Sequence, residues 1–263
     1  MGVGRYVIVL LLVAVTASPS AQRGRGAGDG PPQGQSPQAA APFDLAGYWV
    51  SIVNEDWRWR MVTPPKGDYA SVPISDEGRK IADTWDVSKD GSCLAFGAAG
   101  LMRNPTRLHI TWESENVLKI ETDAGVQTRR FVFDKAVGAP AERSLQGYSV
   151  AEWERPAAPG RGGGGGGGGG GARPGGPPPM GGNLKVITTQ LSGGWLRKNG
   201  VPYSEQTTMT EYYDRFGLSN GGEWLVVTTA VNDPKYLAQQ FVTSTHFRKE
   251  PNASKWDPAP CKP

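Results

Sequence analysis

Four consecutive residues, Trp57-Arg58-Trp59-Arg60, alternate indole and guanidinium directly behind Glu55 and Asp56. A guanidinium carries five N–H donors in a rigid planar fork that matches a carboxylate, phosphate or sulfate. An indole adds a broad apolar face with one polar edge. The combination suits a small anionic or amphipathic molecule. On an extended strand successive side chains point to opposite faces. Glu55, Trp57, Trp59 and Met61 would then share one face, and Asp56, Arg58 and Arg60 the other. With the tryptophans inward, the strand lines a greasy space. With the arginines inward, two buried cations need anionic partners, because burying an unpaired charge is costly. The plainer alternatives are that the tryptophans are core and the arginines pair with nearby carboxylates, or that exposed tryptophan meets a partner protein.

Two further residues join these as candidate ligand contacts. His246 alternates with Ser244 and Arg248 in "STHFRK", and Tyr212 sits in "TEYYD" beside Glu211 and Asp214. His109 lies among polar residues of its segment and reads as a solvated histidine. No catalytic residue is assigned. The ten-glycine tract Gly162–Gly171 lacks the Gly-Lys-Ser/Thr ending of a phosphate loop, and no Gly-x-Ser-x-Gly elbow occurs. With two histidines and two cysteines in no ligating pattern, no metal or cofactor is expected.

The elements that must position these side chains read as strands. Nine segments alternate apolar and polar residues and are rich in threonine, valine and aromatics: 45–53, 107–113, 116–123, 126–134, 147–154, 183–191, 204–214, 223–231 and 239–249. Gly, Asn and Asp mark the turns. Helix is scarce. "SDEGRKIADTW", from Ser75, has a capping serine and acids in its first turn, and "SCLAFGAAGLMR" is a second short candidate. The pattern predicts a mainly β fold, an antiparallel meander closing into a barrel of about 8–10 strands with one or two short helices after the first strand. A barrel of about that size has room for side chains or one small ligand.

Domain limits follow composition. Arg5, the apolar run Tyr6–Val15 and the small residues after it make a secretory signal peptide over 1–21. The run is shorter than the ~20 residues a bilayer needs, so no integral span is expected after cleavage. Residues 22–42 and 156–182 are Gly/Pro-rich and read as a disordered linker and a disordered loop, the second inside a single domain 43–263. In an oxidising compartment Cys93 and Cys261 would most simply form one disulfide, worth about 5 kcal/mol on the loop-entropy model, the alternative being two free thiols. Twenty-eight basic and 25 acidic residues leave a net charge of +3, part of it in the linkers, which gives no electrostatic case for nucleic acid.

"DLAGYWVS" carries Gly47-Tyr48-Trp49, which resembles the Gly-x-Trp signature on the first strand of lipocalins and related calycin barrels. The resemblance implies that Trp49 packs across the barrel floor with an arginine of the last strand, Arg248, over it. From Phe43 onward the chain also resembles a group of exported bacterial proteins sharing "GYWVS", "EDWRWRM", "TPPKGDYASVP", "RLHITW", "TEYYDRF" and "STHF" in this order. That likeness implies export and carries no activity. The functional expectation is an exported, periplasmic or extracellular barrel that binds a small, anionic or amphipathic ligand. The alternatives are a lyase, isomerase or hydrolase on the same barrel, and a structural or interaction module with a filled core. Oligomeric state is open.

Overall fold

In a computed structural model the chain divides into two units, residues 1–30 and 31–263. The structure describes residues 1–2, 35–86, 88, 96–154 and 183–260. The signal segment beyond Gly2, the glycine-rich loop 156–182, Cys93 and Cys261 therefore lie outside the described residues. All the described strands and helices belong to the second unit.

The nine expected strands form one closed barrel. In chain order they are β1 (Gly47–Ile52), β2 (Arg107–Ser114), β3 (Val117–Thr122), β5 (Thr128–Val132), β6 (Tyr148–Trp153), β7 (Leu184–Thr189), β10 (Thr208–Gly217), β11 (Glu223–Asn232) and β12 (Phe241–Glu250). The remaining strands are two-residue pieces: β4 (Ala124–Gly125), β8 (Gly194–Trp195), β9 (Pro202–Tyr203) and β13 (Ala259–Pro260). Around the barrel the order is β1-β12-β11-β10-β7-β6-β5-β3-β2. Closure leaves no free edge. Every neighbouring pair is antiparallel except β5 and β6, which run parallel. The reason is the connection 133–147, which returns along the barrel before β6 starts, so that Ser144 bridges Leu191 and Ala98 donates to the Leu145 carbonyl.

Period-two alternation decides what faces inward. Trp49, Leu108, Ile110, Leu118, Ile120, Phe131, Val186, Tyr213, Leu225, Val227 and Phe247 belong to one apolar cluster, each at most 1% exposed. The interior is thus occupied by the barrel's own side chains. Within it Arg129 and Glu211 form a fully buried pair. Residues 35–46 lie over one end: the Trp153 indole N–H donates to the Pro37 carbonyl at 2.9 Å, Phe43 stacks edge-on against Trp153, and the Gln38 amide donates to Glu115. Pro37, Gln38 and the residues around them, within the stretch that composition assigns to the linker, thus contact the barrel end.

The opposite end is covered by 53–86, 96–106, 191–207 and 233–240. A second cluster, including Tyr69, Leu196, Val201, Tyr203, Met209, Leu237 and Phe241, joins this cap to the strand ends. Three short helices follow β1: α1 (Trp57–Arg60), α2 (Asp76–Ala82) and α3 (Gly97–Leu101). Ser75 caps α2, its hydroxyl accepting from the Gly78 amide at 3.1 Å. Asp233 fixes the far side of the cap. Its carboxylate accepts from the amides of Ser204, Lys235 and Tyr236 and from the hydroxyls of Ser204 and Thr207. Burial raises its pKa, and these donors outweigh that and hold it below the usual carboxylate range.

Candidate site: an arginine cluster under the barrel cap

Residues 57–60 form a single helical turn, not a strand, and this changes which side chains meet. Asp56 has a left-handed backbone (φ 51°), which ends the extended run from β1. Its carbonyl then accepts from the amides of Trp59 and Arg60. Strand alternation no longer applies. Trp59 and Arg60 turn toward the cap interior, while Trp57 (62% exposed) and Arg58 turn outward. The sequence pattern missed this because a four-residue helix leaves no period to read.

Two arginines that the sequence pattern did not single out complete the cluster. Arg103 follows α3 and Arg197 follows β8. Ser51 Oγ donates to the Thr106 carbonyl at 2.8 Å and accepts from the Thr106 amide at 3.0 Å, which pins the segment just after Arg103 to the end of β1. Arg197 opens a turn closed by Gly200, whose φ of +84° favours glycine and which lies against Trp85. Both arginines come directly after apolar residues, in "GLMR" and "GWLR". An arginine ending an apolar run was the signal available.

Arg60, Arg103 and Arg197 are 3%, 6% and 3% exposed. Arg60 Nε donates to the Arg103 carbonyl at 2.8 Å, and a terminal nitrogen pairs with Glu55. Arg103 pairs with Asp56 at 2.7 Å and lies over the Phe241 ring. Arg197 donates to Ser71 Oγ at 2.8 Å and lies 4.8 Å over the Trp59 ring. Arg58 also lies over the Trp59 ring, at 5.3 Å, and pairs with Asp68 at 2.7 Å, and the Trp59 indole N–H donates to the same carboxylate. Asp68 is held below the usual carboxylate range. What burial adds is outweighed by Trp59, the Ala70 amide and Arg58.

The cluster is short of acceptors. Arg58, Arg60 and Arg103 each pair with one carboxylate, whereas Arg197 has no ion pair among the described residues. Four buried guanidinium nitrogens have no acceptor there: one terminal nitrogen of Arg60, one of Arg103, and both Nε and a terminal nitrogen of Arg197. Burial pushes the Arg197 pKa down to about 10, with the like charge of Arg103 acting in the same direction against Asp56 and Asp68. It remains a cation at neutral pH. Burial also lowers Arg60; Glu55 opposes this and Arg103 adds to it. Two of the four non-glycine residues with positive φ among the described residues, Asp56 and Ser71, are the partners of Arg103 and Arg197. Strained backbone of this kind tends to gather at functional sites.

His246 reaches the edge of the cluster. It lies on the outer wall of β12, with Nδ1 2.9 Å from Glu55 Oε2, so Glu55 bridges His246 and Arg60. Tyr212 does not join. It is half-buried on the outer wall of β10, level with Lys185 and Thr228, while Tyr213 takes the inward position. The expected barrel-floor pair is altered as well. Trp49 is fully buried, its indole N–H donating to the Leu45 carbonyl at 2.9 Å. The cation over it is Lys249, at 5.4 Å, and not Arg248. Arg248 is level with Val50 and exposed, because Phe247 and Lys249 take the inward positions at that end of β12. Comparison with protein-family models, with curated proteins and with solved structures finds no match for this chain.

Proposed function

We propose that this chain is an exported small-molecule-binding β-barrel whose ligand is an anion, held at the capped end by Arg60, Arg103 and Arg197. The observation that carries the reading is the set of four buried guanidinium nitrogens without an acceptor. A carboxylate, phosphate or sulfate entering there would accept several charge-assisted hydrogen bonds and neutralise the excess cation. Because side chains occupy the interior, this reading seats the ligand at the cap and not in the lumen. Export rests on the signal-like first 21 residues, and a Cys93–Cys261 disulfide would fit that compartment.

The test is calorimetric titration with inorganic phosphate, sulfate and acetate. At least one should bind with a dissociation constant at or below the millimolar range, and Arg103→Met should weaken it at least tenfold. Absence of binding to all three, or binding indifferent to Arg103, would refute the reading.

A second reading, an enzyme, is favoured by the hydrogen bond between His246 Nδ1 and Glu55. A carboxylate on one ring nitrogen fixes the tautomer and leaves Nε2 to exchange a proton. This reading expects His246→Asn to abolish turnover of a bound substrate without abolishing its binding.

A further inference from the structure

The cap carries an apolar shelf beside the arginines that neither the fold nor a bare anion explains. Trp57, Met61 and Val62 are 62%, 55% and 62% exposed. The Met61 amide bonds to the Trp57 carbonyl, so the two side chains sit one turn apart on one helix face. At about 100° per residue, that face lies between Arg58 and Arg60 around the turn. Arg60 faces the buried cluster and Arg58 the solvent. Other exposed apolar side chains, such as Ile81, Ile187 and Val242, come from separate elements. Here three within six residues flank Arg60, one of whose terminal nitrogens has no acceptor.

Resting on the anion-site reading, we propose that the ligand is a free amphiphile: an anionic head on Arg60, Arg103 and Arg197, and an alkyl tail along Trp57, Met61 and Val62. The excess positive charge suits a single anionic group, and a tail leaving a head on Arg60 would meet the shelf on the same helical turn. An open shelf covers one side of a chain, about half the burial of an enclosed methylene, which corresponds to about twofold in affinity per methylene.

The experiment titrates the full chain with inorganic phosphate, propyl phosphate and octyl phosphate below micelle-forming concentrations. Octyl phosphate should bind about 30-fold more tightly than propyl phosphate at that increment. In Trp57→Ala/Met61→Ala the octyl-to-propyl ratio should fall to about threefold or less. Equal affinity for the two alkyl phosphates, with inorganic phosphate still bound, overturns the tail and leaves the anion reading standing. A chain-length dependence that survives the double substitution also overturns it, as does binding to phosphatidylglycerol vesicles with none to octyl phosphate. If no phosphate binds at all, the amphiphile is overturned, and the anion reading then stands or falls on the sulfate and acetate titrations. The comparison of chain lengths needs only the unaltered protein, so it does not depend on a variant folding.

Discussion

Arginine is buried in two places in this protein, and the two are satisfied differently. Inside the barrel, Arg129 meets Glu211 through two parallel hydrogen bonds, at 3.0 and 2.6 Å, with Thr188 Oγ1 at 3.2 Å and the Tyr213 hydroxyl at 3.5 Å. Both side chains are fully buried, and one nitrogen, Nε, has no acceptor. Despite burial, Glu211 and Tyr213 raise the Arg129 pKa above its ordinary value. Under the cap, Arg197 is also buried but less deeply, has two nitrogens without an acceptor, and is pushed down. The opposite directions distinguish a cation whose charge is met from one whose charge is not. The first holds the fold together. The second is where the proposed anion would bind.

The contrast predicts opposite responses to removing each charge. The largest effect is expected at Arg129→Met, which leaves Glu211 buried and unpaired and should lower stability by about 3–5 kcal/mol in chemical denaturation. Adding Glu211→Leu should restore most of the loss, because an apolar pair fills the same space without a stranded charge. A double variant no better than the single would show that the pair is needed for more than its charges.

Next in size is Asp233→Asn, which weakens the five hydrogen bonds that hold the cap to the barrel. We expect a loss of about 2 kcal/mol at neutral pH. A carboxylate held low in the folded state stabilises above its unfolded pKa and loses that contribution as pH falls through its folded value. The difference from the unaltered protein should therefore be full at pH 7 and shrink below about pH 4. Denaturation curves across that range check both points.

Arg197→Met should behave unlike Arg129→Met. Removing a cation without an ion pair should leave stability unchanged or raise it by about 1 kcal/mol, while anion affinity falls at least tenfold. The smallest effect belongs to Arg58→Ala. Its pair with Asp68 is exposed on the arginine side, and exposed pairs contribute roughly 0–1 kcal/mol. A change in thermal midpoint beyond about 2 °C would show that Arg58 supports the cap more than its exposure suggests.

The barrel was legible because strand periodicity is a long signal. Leu108, Ile110, Leu118 and Ile120 alternate with polar residues, and the inner and outer faces follow directly. The two longer helix candidates were legible for a similar reason, through the Ser75 cap and the apolar, glycine-bearing run before Met102. The parallel step between β5 and β6 was not, since it depends on how 133–147 folds back. The site was half legible. Trp59 and Arg60 stood out by composition, but their neighbours Arg103 and Arg197 lie 43 and 137 positions from Arg60 in the chain and meet it only through the fold. The shift from Arg248 to Lys249 over Trp49 follows from inside-outside alternation at the end of β12, a single-residue matter that a short resemblance does not resolve.

The most direct test compares thermal unfolding of the unaltered protein and of Arg197→Met, each with and without millimolar inorganic phosphate. A ligand that binds only the folded state raises its stability by mass action. Phosphate should raise the midpoint of the unaltered protein and leave the variant, at least as stable in its absence, unmoved. Equal midpoint shifts in both proteins, or none in either with phosphate, sulfate or acetate, would contradict the assignment of the cap arginines as an anion site.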